Sequence, residues 1–253
     1  ALSQHLFVEA AKRAYADRRS VGADPDFFGD RVPPGAVAAR LRPSHLLKHP
    51  VSLERATPAA ELGASGPAPA ESPETTHLSV MDREGNAVSL TVTLSASFGA
   101  KVIPKGTGVL FSNALGAFSE SGVNDAAGGK RMASSMSPTI LGRNGRAEIV
   151  IGSPGGDTIP NIVSQAIVNL VDYKMPLDRA ITHGLVHHQL LPGRIRMHKA
   201  SPPPAATKRG LEKLGHTLFE TPIPLGDVNA IVLHAPSGVR YAFSDKREGG
   251  LAL

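Results

Sequence analysis

Thr75 stands where a stretch built almost wholly of Ala, Pro, Ser, Gly and Glu meets the first alternating, β-branched segment of the chain. If the bond between Glu74 and Thr75 is cut, a hydroxyl and a free α-amine come to belong to one residue. An α-amine titrates near about 7.7–8.0, so it can serve as a local base for that hydroxyl, and Thr75 becomes a nucleophile complete in itself. By position alone Thr75 and Thr76 also read as ordinary strand residues. A second candidate is the run Ile151-Gly152-Ser153-Pro154-Gly155-Gly156-Asp157, which leaves a strand pattern and enters a helical one. Paired glycines before a helix expose backbone N–H groups, which suits an oxyanion or a phosphate. The spacing is that of neither a P-loop nor a dinucleotide fingerprint, and a tight turn is the alternative. Ser134 and Ser135 offer adjacent hydroxyls able to hydrogen-bond a carboxylate, or simply a polar turn. His183, His187 and His188 read as lying on one helix, where the i, i+4 pair invites zinc. The glutamate that such a pair needs is absent, and no metal site is expected.

These residues need elements to hold them. An opening helix over ALSQHLFVEAAKRAYADR has apolar residues Leu2, Leu6, Ala10 and Ala14 at helical spacing. A Gly/Asp/Pro stretch and a short helix near AVAARL follow, and then Ala56 to Glu74 reads as an exposed, flexible linker. From Thr75 onward three strand–turn–strand units appear: TTHLSVMD, REGN, AVSLTVTL; SPTILG, RNGR, AEIVIG; and NAIVLH, APSG, VRYAFS. Six strands in hairpins predict an antiparallel sheet. Helices are predicted from Asp157 as cap with Pro160 in the first turn, from Pro176 through LDRAITHGLVHHQLL, and over PAATKRGLEKLGH. Segregated hairpins and helices make an α+β domain, not a doubly wound parallel sheet.

The 253 residues include 26 Gly and 21 Pro, too few for low-complexity disorder, and 41% are hydrophobic, enough for a core. No apolar run approaches the roughly 18–20 residues of a membrane-spanning helix. With no cysteine, disulfides and thiolate chemistry are excluded. The net charge of +5 comes from residues after position 74, because residues 1–74 balance. The basic residues are scattered, and with no Trp and three Tyr there is little to stack bases on, so nucleic-acid binding is not expected. Ala1 opens directly into a helix, as in a chain cut in mid-domain.

Taken together, HLFVEAAKRAYADR with DPDF, TTHLSVMDREGNAVSLTVTLSASFG, KRMASSMSPTI, IGSPGGDTIPNIV, HHQLLP and YAFSDKR resemble the γ-glutamyltransferase (γ-glutamyltranspeptidase) family of N-terminal-nucleophile hydrolases. The resemblance runs over nearly the whole chain. It implies a precursor that cuts itself before Thr75, and an αββα sandwich of which this chain supplies only part. Residues 1–74 would be the C-terminal part of the large subunit and residues 75–253 the small, catalytic one. It further implies Thr75 as nucleophile, Thr93 as the hydroxyl that hydrogen-bonds it and assists processing, Gly155 and Gly156 as the oxyanion hole, and Ser134 with Ser135 on the substrate α-carboxylate. No cofactor is implied. The partners would be a small γ-glutamyl or related amide and the upstream part of the large subunit, and the resemblance alone favours a periplasmic or secreted setting. Two positions depart from the family pattern. Ser95 stands where Asn is usual, and Ala117 stands where an Asp usually holds the donor α-amine. The stretch from Phe118 to Ser134 is short, as in members without a lid loop. The expected activity is transfer or hydrolysis of γ-glutamyl amides through a Thr acyl-enzyme. The alternative is a divergent acylase, cephalosporin-acylase-like or capsule-processing-like, with another acyl donor.

Overall fold

A computed structural model describes residues 1–64, 74–246 and 249–253. The opening helix forms as predicted, α1 over Leu2–Val21, but its buried face is not the predicted one. Leu2 and Leu6 are 51% and 39% exposed, and Ala10 and Ala14 face solvent with them. The inward face carries His5, Val8, Glu9, Ala11, Lys12 and Tyr15. Val8 packs with Val186, Ile195, Met197 and Leu211. The charged members are satisfied by the chain around residue 57: Glu9 accepts Lys12 at 2.7 Å and the Thr57 N–H at 3.1 Å, and Lys12 donates to the Thr57 carbonyl at 2.9 Å. Buried charges persist where they are paired and hydrogen-bonded, so this network orients the helix against the apolar count.

Two short helices follow, α2 (Ala36–Arg40) and α3 (Pro43–Leu46). The expected linker begins later than predicted. Ala56 donates to Leu214, Thr57 is buried, and Ala59–Leu62 make a 3₁₀ turn. The rest of that expectation falls on residues 65–73, outside the described residues.

All three hairpins are present. Strands β1 (Thr76–Met81) and β2 (Ala87–Val92) pair antiparallel with Thr76 opposite Val92. Strands β3 (Thr139–Arg143) and β4 (Arg146–Gly152) turn through Asn144 and Gly145, both at positive φ, the conformation a two-residue hairpin turn demands. The helix beyond β4 is α4 (Ile159–Val171), entered through a 3₁₀ turn Gly156–Thr158, so Asp157 lies inside that turn and does not cap the helix.

The helix predicted from Pro176 stops early. Helix α5 covers Leu177–Thr182, and Val186–His187 form strand β5, so His183, His187 and His188 share no helix. Gly184 explains the break: a Cβ there would lie 2.6 Å from the Pro203 nitrogen, so only glycine lets the chain pass. Strand β6 (Ile195–His198), helix α6 (Ala205–Lys213), β7 (Leu218–Thr221), β8 (Asn229–His234) and β9 (Val239–Ser244) complete the order.

The predicted single sheet is divided. β1–β2 form one sheet, β3-β4-β8-β9 a second, and β5-β6-β7 a third that includes a parallel pair, β6 with β7, which local hairpin signals cannot announce. The first two face each other. Ser79 donates to the Asn229 carbonyl at 3.1 Å, and Ser89 donates to the Ile151 carbonyl and accepts the Thr139 N–H, both at 3.0 Å. On the far side of the four-stranded sheet α4 and α5 bury Ile159, Ile162, Val163, Ala166 and Ile181 against Ile151, Val228 and Ala230. Two facing sheets with helices outside one of them are the part of an αββα sandwich that this chain supplies.

Candidate active site

Continuing the β1–β2 register one pair beyond Thr76 and Val92 sets Thr75 opposite Thr93. The Thr93 hydroxyl donates to the carbonyl oxygen of Glu74 at 2.5 Å, and the Ser95 N–H donates to the Thr93 oxygen at 2.9 Å. The second bond fills an oxygen lone pair and leaves the hydroxyl proton directed at Glu74. Ser95 takes φ of +76°, a strained conformation for a non-glycine residue, and thereby aims its N–H back at Thr93. Glu74, Thr75, Thr93 and Ser95 are thus gathered at one end of the hairpin.

Strand alternation sets Thr75 on the same face as His77 and Ser79, the face turned to the four-stranded sheet. His77 is buried, with Nδ1 2.8 Å from the Thr91 hydroxyl and Nε2 3.0 Å from Ser79. Ser79 spends its proton on Asn229, so His77 donates from Nε2 and accepts at Nδ1. Burial pushes its pKa down to about 4, which keeps the ring neutral near pH 7. A Cβ on Gly152 would lie 2.2 Å from its Cε1, so the ring occupies the space that Gly152 leaves. The hairpin is thereby seated against the strand that leads into the paired glycines. His77 was not singled out from the sequence, although its place two residues beyond Thr75 on one strand face was the available signal.

The glycine loop is pinned from three sides. Ser153 accepts the Asp227 N–H at 3.0 Å, Thr158 bonds the Gly155 carbonyl at 2.9 Å and also the Leu225 carbonyl, and the Tyr15 hydroxyl donates to the Asp157 carbonyl. Gly155 has φ of +133° and Gly156 of +60°, and a Cβ on Gly155 would meet Thr158 Oγ at 2.5 Å. Among the described residues neither N–H reaches an acceptor. Both lie at the entrance to α4, where the helix adds positive potential. Such amides can receive a developing oxyanion.

Ser134 is exposed and accepts the Met136 N–H at 3.1 Å, while the buried Ser135 hydroxyl has no partner among the described residues. An adjoining cavity of about 520 Å³ is lined by Ala117, Glu120, Asn124 and Ala133 and, from α1, by Tyr15 and Arg18. Thr75, Thr93, Gly155 and Gly156 do not line it.

The histidines expected on one helix offer no ligand set. His187 has both ring nitrogens engaged, by Asn161 at 3.0 Å and Gln189 at 2.7 Å. Elsewhere His5, Glu9 and His216 bring ligand atoms within 4.8 Å of one another. His5 Nε2 donates to the Ser52 carbonyl and its Nδ1 accepts from His216 Nε2, each at 2.7 Å, while Lys12 and Arg13 already neutralise Glu9. That cluster is closed on itself, and its two cations oppose a third.

The family model for gamma-glutamyltranspeptidase matches residues 1–253. The glutathione hydrolase proenzyme of Pseudomonas aeruginosa is 37% identical over 98% of this chain and 45% of its own length. The acylase ACY 1 proenzyme of a Pseudomonas species is 34% identical over 92% of this chain and 40% of its own. Among solved structures, gamma-glutamyltranspeptidase from Pseudomonas nitroreducens complexed with L-DON superposes with a TM-score of 0.65 at 36% identity, covering 70% of this chain and 98% of that one. The chain thus spans a little under half the length of the relatives it matches. Among the described residues no helix is long and apolar enough to cross a membrane. With a match from the first residue to the last and facing sheets of the N-terminal-nucleophile kind, the chain belongs to the gamma-glutamyltranspeptidase family.

Proposed function

We propose that this chain carries the processing site and the nucleophile of a γ-glutamyltransferase or glutathione hydrolase, residues 1–74 ending the large subunit and residues 75–253 forming the small one. The observation that supports it is the Thr93 hydroxyl on the Glu74 carbonyl, at the very bond that must break. A donor on that oxygen draws electron density from the carbonyl carbon and stabilises the oxyanion formed on attack. In processing, Thr75 Oγ attacks the Glu74 carbonyl carbon and the C–N bond to Thr75 breaks. The nitrogen gains the proton and the chain becomes an ester. Water opens the ester, freeing the Glu74 carboxylate and the Thr75 hydroxyl and α-amine.

In turnover the neutral α-amine takes the Thr75 hydroxyl proton as the oxygen attacks a γ-glutamyl amide. The oxyanion is received by the Gly155 and Gly156 N–H groups, and Ser134, Ser135 and Ser95 hold the donor. The leaving amine departs with the proton, and water or another amine takes the acyl group. Intact-mass measurement tests the processing step. Incubated parent protein should yield a new N-terminus reading TTHLSV, Thr75→Ala should remain one chain, and Thr93→Val should slow the cut by about 10²–10³, the usual loss for one oxyanion donor. Cleavage of Thr75→Ala in protease-free protein refutes the mechanism.

A second reading, an acylase using a different donor, is favoured by Ala117 and Ser95. Neither side chain carries charge, and Ala117 lines the cavity beside the serine pair without an acceptor.

A further inference from the structure

Asp24 follows α1, far in sequence from the serine pair, yet its carboxylate governs the start of the loop that carries them. It accepts four hydrogen bonds: from the Asp26 N–H at 3.2 Å, the Arg131 N–H at 2.8 Å, Arg131 Nε at 3.0 Å and Arg131 Nη2 at 2.5 Å. The Asp24 side chain is 1% exposed and that of Arg131 67%, so the acid is the fixed member and the guanidinium lies over it, with Asp26 holding its outer edge at 2.5 Å. Backbone and side chain of Arg131 are gripped by one carboxylate, which fixes the direction in which the chain leaves that residue. Two residues on, the Ala133 N–H is held by Asn124 Oδ1 at 2.9 Å, and Asn124 in turn donates to the Ala117 carbonyl at 2.9 Å. Ser134 and Ser135 therefore project from a base clamped at two points, one of them supplied from the part of the chain that precedes Thr75. The Arg131 guanidinium also holds the Asp24 carboxyl well below the usual carboxylate range, so the grip stays charged in mildly acidic solution.

We propose that Asp24 is a positioning residue for the Ser134–Ser135 pair, holding it through Arg131 at the place where a substrate carboxylate is bound. The inference rests on the carboxylate-binding role given to the pair above. It adds that a cut between Glu74 and Thr75 severs the covalent route from Asp24 to Arg131 and leaves this hydrogen-bonded one to set the site. Misplacement of a substrate-holding group by about 1 Å can cost about 10²-fold, so a clamp three residues away is within reach of catalysis.

The test uses the intact, processed protein and two anilide donors. γ-Glutamyl anilide has the α-carboxylate, and 4-aminobutyryl anilide is the same molecule without it. Asp24→Asn should raise KM for the first by tenfold or more with kcat within threefold, and leave kcat/KM for the second unchanged. Ser134→Ala should show the same selectivity, and Asp24→Ala combined with Arg131→Ala should be no worse than either alone, as members of one unit. Should Asp24→Asn fail to fold, Arg131→Lys, which keeps the charge and loses the planar fork, should shift KM in the same direction. Equal losses on both donors, or no loss on either, overturn the proposal. If the serine variants separate the two donors and Asp24→Asn does not, the positioning role alone falls. If the serine variants do not separate them, the carboxylate-binding role falls and takes the positioning role with it.

Discussion

Under the proposed activity a γ-glutamyl donor brings a cationic α-amine, and its reception falls to position 117. A charge-assisted hydrogen bond to that amine is worth about 1.5–3 kcal/mol, roughly 10 to 150-fold. Ala117 offers no such acceptor, and the acids lining the same cavity are Glu120, three residues further along an exposed turn, and Asp157, whose carboxylate faces Arg196 at 3.6 Å. The parent should therefore show little preference between γ-glutamyl anilide and its desamino analogue glutaryl anilide. Ala117→Asp should gain at least tenfold in kcat/KM for the γ-glutamyl donor alone. Comparing kcat/KM for both donors in both proteins decides it: a parent already preferring the γ-glutamyl donor a hundredfold, with no gain from Asp, shows that another group holds the amine. At this scale Thr75, Ser134, Ser135, Gly155 and Gly156 stand out in the sequence by type and neighbours, Thr93 enters only through the family resemblance, and their roles are those proposed above. Asp24 and His77 do not stand out, because what distinguishes them is a partner more than a hundred residues away, Arg131 for one, or a glycine's missing side chain for the other.

Among the elements, the seating of the β1–β2 hairpin on β4 is the one on which the site depends, and it turns on the His77 ring occupying the space beside Gly152. The ring is held on both nitrogens, by Thr91 and Ser79, so it cannot swing aside without breaking buried hydrogen bonds. Gly152→Ala should cost about 1–3 kcal/mol in denaturant unfolding, as overpacking does, and should slow processing because the hairpin carrying Thr75 and Thr93 is displaced. Gly145→Ala is the control. Its φ of +77° makes alanine costly by up to about 1–2 kcal/mol, but no atom lies within 4 Å of the added Cβ, so processing should keep its rate. Equal processing rates in both variants contradict the seating argument. The hairpins were readable because Asn144-Gly145 and strand alternation are local signals. The face of α1 was not, because an inward Glu9 and Lys12 make sense only once Thr57 is known to meet them. The histidine helix failed for a similar reason: the close approach of Pro203 to Gly184 is a tertiary fact.

For the whole molecule, the buried histidines set how it meets acid. Burial pushes His77, His187 and His216 down to about 4 and His188 to about 3. In the unfolded chain each returns to about 6.5. Between those values the unfolded state binds more protons than the folded one, so stability rises with pH there. It is complete above about pH 6.5 and is lost as pH falls toward 4. The carboxylates act lower. Burial alone raises Glu9, but hydrogen bonds from Lys12, Thr57 and Arg13 outweigh it and hold the group at about 2, and Arg31 with Lys130 hold Asp125 there too. Their contribution is lost only below about pH 4.5. Acid loss should therefore begin with the histidines, one to two pH units before the carboxylates take part. Calorimetry at pH 5.5 in two buffers of different ionisation enthalpy should find roughly three to four protons taken up per molecule on unfolding. The melting temperature should be level above pH 7 and fall steadily from 6.5 to 4.5. An uptake below one proton at pH 5.5, with a melting temperature unchanged down to pH 4.5, means that these rings are charged in the folded protein and that water reaches them.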